Sequence, residues 1–82
     1  MATKSQHADD YLPVPGFLRS LREDAGLTQR ALGKRMKKPQ SWVYNCETGN
    51  RRTDLAEFIA WARACGIDPS SAFRRFLQLL QA

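Results

Sequence analysis

GLTQRALGKRMKKPQSWVYNCETGNRR, Gly26 to Arg52, carries two helical patterns joined by a basic turn. Thr28 suits a helix N-cap, and Ala31, Leu32 and Met36 give the segment after it a short apolar stripe. Lys37 and Lys38 form the turn. Pro39 then suits the first position of a new helix, because its missing N–H would be unpaired there in any case. That helix runs to about Thr48, and Gly49 closes it. At about 100° per residue, Val43, Cys46 and Glu47 project to one side, while Gln40, Ser41, Tyr44, Asn45 and Thr48 occupy the other, with Trp42 on the flank. The outward side is almost wholly hydrogen-bonding and has cations at both ends, Lys37 and Lys38 before it, Arg51 and Arg52 after it.

The flanking sequence supplies helices to support this pair. Leu12-Pro13-Val14-Pro15-Gly16 leads into a helix in which Phe17, Leu18, Leu21 and Ala25 keep helical spacing, and Gly26 ends it. Downstream, Asp54 with Glu57 three residues later reads as a capping box. It opens a fourth helix, about Asp54 to Cys65, whose expected buried stripe is Leu55, Phe58, Ile59, Ala62 and Cys65. Gly66 stops it. Asp68-Pro69 starts a fifth, lined on one side by Ala72, Phe73, Phe76, Leu77 and Leu80. The fold class is therefore all-α: five short helices joined by tight turns. Residues 1–12 are polar and aperiodic and are expected to be a flexible tail. Residues 13–82 form one small domain, with the central two-helix unit at about 28–48.

Charge is concentrated where the chemistry is. Residues 28–52 hold seven cations against one anion, Glu47, a net +6; the remainder holds six cations and seven anions, a net −1. All the excess positive charge of this +5 chain thus lies in the middle, which points to a polyanion, most simply nucleic acid. The plainer alternative is a basic, solvated face. An amide side chain donates and accepts together, the geometry that reads the edge of adenine in the major groove. The two basic turns lie where phosphates would flank an inserted helix.

Other classes find little support. The expected folded part has no histidine and no glycine-rich phosphate loop, and the Glu23-Asp24 pair falls on an exposed helix end, so no enzyme is expected. Cys46 and Cys65 are too few for a disulfide framework; with His7 in the tail they are also too few for a structural zinc site. No metal, cofactor or small-molecule ligand is expected. No apolar run approaches the roughly 18 residues of a membrane span and no leader pattern opens the chain, so it reads as cytoplasmic.

The Gly26–Arg52 stretch, continued by TDLAEFIAWARACGIDP, resembles the helix-turn-helix of the Cro/C1-type repressors, the XRE family, over about Phe17 to Leu80. The resemblance rests on Leu27-Thr28-Gln29, the small residue Gly33, Gln40-Ser41, the inward Val43 and Cys46, Glu47-x-Gly49, and Gly66-Ile67-Asp68-Pro69. It implies a compact five-helix domain of the lambda repressor-like type that binds duplex DNA and regulates transcription. It further implies base contacts from Gln40, Ser41, Tyr44 and Asn45, and backbone contacts from Gln29, Lys37, Lys38, Trp42, Thr48, Asn50, Arg51 and Arg52. Gln29 would also brace Gln40, and Arg22 and Glu47 would form an ion pair joining the first helix to the third. Three departures stand out: Pro39 in place of a Ser or Thr cap, Cys46 in place of a larger aliphatic, and Asn50 where many relatives carry a cation.

One such domain covers a half-site, so a homodimer on a near-palindrome is expected, with half-site centres about 34 Å apart. Trp61, Leu79 and Leu80 are the dimer candidates; the alternative for Trp61 is that it covers its own core. Without a separate sensing domain, regulation would come from concentration, operator arrangement or another protein. Some relatives activate by offering acidic residues on the second helix to RNA polymerase. Here that helix carries Arg30, Lys34 and Arg35, which speaks against that route and leaves polymerase contact through another surface open; the expected regulator is a repressor or autoregulatory controller. A different use of the same fold is as a protein-interaction module, an antitoxin or antiactivator, with Trp42 and Tyr44 as anchors.

Overall fold

The computed structural model describes residues 10–81. Of the expected tail, 1–12, residues 1–9 with His7 among them lie outside the described residues, while Asp10 and Tyr11 are helical rather than aperiodic. Five helices follow in order: α1 Val14–Asp24, α2 Gln29–Met36, α3 Gln40–Thr48, α4 Leu55–Ala64 and α5 Pro69–Gln81. No strand occurs among the described residues.

Local chemistry sets most of the boundaries. Thr28 Oγ1 accepts from the Ala31 N–H and caps α2. Asp54 and Glu57 form the full capping box at α4: the Asp54 carboxylate accepts from Glu57 N–H, and the Glu57 carboxylate accepts from Asp54 N–H. Asp68 likewise accepts from the Ser71 N–H at the start of α5. Pro39 differs from expectation by one position. It is the N-cap of α3, in extended backbone and without a side-chain cap, and the helix proper begins at Gln40.

The α2–α3 turn is the tightest joint. Lys37 adopts a left-handed conformation, φ 58°, and the Lys38 N–H returns 2.8 Å to the Gly33 carbonyl. A Cβ on Gly33 would stand 2.6 Å from the Lys38 carbonyl oxygen, so only glycine admits this close return.

Leu18, Leu21, Leu32, Val43, Cys46, Trp61, Ala62 and Ala72 make the buried centre, with Phe17 at its edge. Trp61 is wholly enclosed, its indole N–H donating to the Leu18 carbonyl at 3.0 Å. It therefore cannot be a dimer contact; α1 and the Trp42 ring, 6.2 Å away between centroids, fill the side of α4 that Trp61 occupies. Leu55 departs in the opposite sense. Expected in the buried stripe, it is 70% exposed in the first turn of α4. Phe73 and Leu77 on α5 also stay 45% and 41% exposed. An apolar face thus runs from the start of α4 onto α5.

Candidate nucleic-acid interface

α3 is short, and what fixes its orientation is a buried polar chain on its inner side. Arg22 on α1 grips Glu47 with two hydrogen bonds, Nε to Oε2 at 2.6 Å and Nη2 to Oε1 at 3.0 Å, and donates a third to the Leu27 carbonyl. The Glu47 carboxylate pushes the Arg22 guanidinium further above its ordinary range, with burial opposing. Gln29, at the first position of α2, donates its amide to Glu47 Oε1 at 3.0 Å. Its carbonyl oxygen faces outward and lies 3.5 Å from Gln40 Nε2, a long contact that leaves the Gln40 amide room to adjust. A continuous polar path therefore links the centre of the molecule to the first residue of α3.

The outer side of α3 is open. Gln40, Ser41 and Tyr44 are exposed, Tyr44 by 52%, and Asn45 is half-buried beside them. Asn50 Nδ2 lies 3.4 Å from Asn45 Oδ1, so the two amides form a shallow pair past the helix end. Thr48 turns its hydroxyl back onto the Tyr44 carbonyl at 2.9 Å. A phosphate, which only accepts, would have to take that hydroxyl hydrogen from the Tyr44 carbonyl.

The surrounding cations fall into two kinds. Lys37 and Lys38 are exposed at the leading turn, with Lys38 Nζ 5.2 Å from the centre of the Trp42 ring. Arg51 is committed within the fold. Its guanidinium makes two hydrogen bonds to the Glu57 carboxylate, at 2.8 and 2.7 Å, and stands 5.0 Å from the Trp42 ring. The Arg51 guanidinium holds the Glu57 carboxyl down at about 2, well below the usual carboxylate range. Arg51, expected among the phosphate contacts, is engaged by Glu57 and braces the loop, while its side chain stays 39% exposed. Arg52 is exposed, and its guanidinium stacks on the Tyr11 ring. Trp42, half-buried between Lys38, Arg51 and Trp61, is mostly a platform for these groups.

Tyr11 is the residue that sequence reasoning missed. Its hydroxyl accepts from the Thr53 N–H at 2.8 Å, fastening to the α3–α4 loop a segment read as tail. The available signal was an aromatic directly before Leu12-Pro13, where a solvated tail has no use for one.

Neither thiol is placed for chemistry. Burial pushes Cys46 up, and Cys65 up to about 11. Among the described residues, no three His, Cys, Asp or Glu side chains converge to hold a metal ion, and no helix is long and apolar enough to cross a membrane.

Residues 16–73 match the helix-turn-helix domain family. The structure is similar to that of an XRE-family like protein from Pseudomonas syringae pv. tomato str. DC3000, with 35% sequence identity, a TM-score of 0.85 and coverage of 95% of both chains. No functionally curated protein matches the sequence. With the α2–turn–α3 geometry, the glycine-limited turn and these two similarities in hand, the chain belongs to the XRE-type helix-turn-helix family of DNA-binding regulators.

Proposed function

We propose that this protein is a sequence-specific transcriptional regulator, a homodimeric repressor or autoregulatory controller that reads a near-palindromic operator by inserting α3 into the major groove. The observation that carries the reading is the exposed row Gln40, Ser41, Tyr44 and half-buried Asn45, tied to the core through Gln29, Glu47 and Arg22. A reading head must be rigid at its root and unsaturated at its tip, and this row has both properties. Gln40 and Asn45 suit adenine edges, Ser41 suits either purine or pyrimidine acceptors, and the Tyr44 ring suits a thymine methyl. Phosphate contacts fall to Gln29 at the α2 N-terminus, to Lys37, Lys38, Arg52 and the exposed edge of the paired Arg51, and to the polar groups of Trp42, Thr48 and Asn50.

The homodimer is supported by the apolar face of Leu55, Phe73 and Leu77, which Leu80 extends by helical spacing. Leu79 lines a separate groove with Pro13, Gly16 and Ser20 of the α1 region. The protein-interaction alternative, an antitoxin or antiactivator, relied on two aromatic anchors. Trp42 is largely taken up by the fold, which leaves Tyr44 alone and favours DNA.

Selection from a pool of random duplexes tests the proposal. The expected result is enrichment of paired half-sites with centres about 34 Å apart, and affinity that falls steeply with added salt. Retention without enrichment of any sequence, or binding indifferent to salt, overturns it.

A further inference from the structure

Arg51 and Arg52 are adjacent, identical in chemistry and used differently, and the loop between α3 and α4 is built around that difference. The peptide joining Arg52 to Thr53 is held at both of its polar ends. Its carbonyl accepts from Arg51 Nη1 at 3.0 Å, and its N–H donates to Tyr11 Oη at 2.8 Å. Arg51 is itself fixed by Glu57, and Tyr11 forms one wall of a cleft otherwise lined by Val14, Phe17, Phe58 and Phe73. The Arg52 guanidinium then lies 3.9 Å from the centre of the Tyr11 ring, within cation–π distance.

We propose that Tyr11 is a positioning residue for DNA binding, holding both the backbone and the guanidinium of Arg52 in place for a backbone phosphate. The inference rests on the DNA-reading function proposed above. At this distance the ring lies against the guanidinium, whose fork of N–H donors is the group that phosphate takes up in bidentate fashion. An arginine already stacked loses less freedom on meeting a phosphate than one waving in water. Tyr11 therefore contributes to affinity without touching DNA, and it does so only through Arg52.

The test is a double-mutant cycle on the full chain, with a duplex recovered from the random pool and a mixed-sequence duplex beside it. Tyr11→Ala is expected to weaken binding to both duplexes by about fivefold, the range of a lost exposed cation–π contact plus lost preorganisation. Arg52→Ala is expected to weaken both and to reduce the salt slope by about one. The double variant should bind like Arg52→Ala alone. Tyr11→Phe keeps the ring and loses only the acceptor for Thr53 N–H, so it should fall between wild type and Tyr11→Ala; it supplies the same cycle should Tyr11→Ala melt below the assay temperature. Additive losses in the double variant, or a Tyr11 variant that binds as well as or better than wild type, overturn the assignment. Wild-type protein that binds neither duplex overturns the functional reading itself, which keeps the two failures apart.

Discussion

The two ends of this molecule are finished to different degrees. Around α2 and α3 the inward side chains are well accounted for: Leu32, Val43 and Cys46 are fully enclosed, and the buried Arg22–Glu47 pair is satisfied by two further neighbours, the Leu27 carbonyl and the Gln29 amide. Across α4 and α5 the inner surface is equally tight at Trp61, Ala62 and Ala72, yet Leu55, Phe73 and Leu77 are left facing out. Under the function proposed above, the closed first end serves to hold a row of donors and acceptors in one place. The second leaves part of its apolar surface outside its own core, and under the same proposal that surface is area for a second copy. The difference separates residues that make the fold from residues that spend it.

Trp61 gives the harshest test of that separation, since it belongs to α4 but seals the core of both ends. Trp61→Ala removes the largest buried side chain and leaves the Leu18 carbonyl without its indole donor. A loss of about 3–5 kcal/mol is expected, enough to unfold much of a domain this small. Chemical denaturation followed by circular dichroism measures it. A loss under about 1 kcal/mol would mean that Trp61 is not the keystone described.

Arg22→Ala comes next. It strands the Glu47 carboxylate, whose side chain is only 2% exposed, with Gln29 as its remaining side-chain donor. Breaking such a pair costs about 3–5 kcal/mol, and the surviving Gln29 bond places this case at the lower end. Because Gln29 also contacts Gln40, affinity for the selected duplex should fall by more than the stability loss explains, a comparison made below the melting range.

Gly33→Ala probes the turn alone. The added methyl meets backbone, the Lys38 carbonyl at 2.6 Å, which cannot rotate away. A loss of about 1–3 kcal/mol is expected, measured as a fall in Tm, as α2 and α3 are pried apart. Lys37→Gly at the same turn should do the reverse to stability. It relieves a left-handed lysine at φ 58° and leaves Tm unchanged or slightly higher, while removing a cation from the proposed phosphate contacts. DNA affinity should drop several-fold with a shallower salt dependence. Equal affinity with and without Lys37 would show that the charge there is idle.

Much of this was legible in the sequence for identifiable reasons. Caps and glycines act locally, so Thr28, Asp54, Glu57, Gly49 and Gly66 disclose helix ends without tertiary information. The inward turn of Val43, Cys46 and Glu47 follows from periodicity. What sequence could not decide was choice among chemically equal neighbours. Nothing local says that Arg51 rather than Arg52 finds Glu57; the capping box folds the Glu57 carboxylate back, and only Arg51 is within its reach. The helical wheel left Trp61 beside the stripe of α4 because it cannot know that α1 covers that flank as well. It put Leu55 inside because periodicity cannot tell a covered flank from an open groove, and Leu55 borders an open groove with Phe73 of α5.

A substitution with little expected effect on stability is the most informative about the open face. Leu77 is 41% exposed on α5, in the same row as Phe73. Leu77→Gln keeps a good helix former at that position and removes apolar surface that water already touches, so the monomer should change by no more than about 0.5 kcal/mol. If the face meets a second copy, the same change buries an amide without a partner at a two-fold contact, where every defect occurs twice. Sedimentation should then show loss of the dimer, and binding to paired half-sites should weaken while binding to a single half-site stays the same. A variant that loses stability but still dimerises would move Leu77 from the second kind of residue to the first, and the contrast between the two ends would have to be redrawn around Leu55 and Phe73.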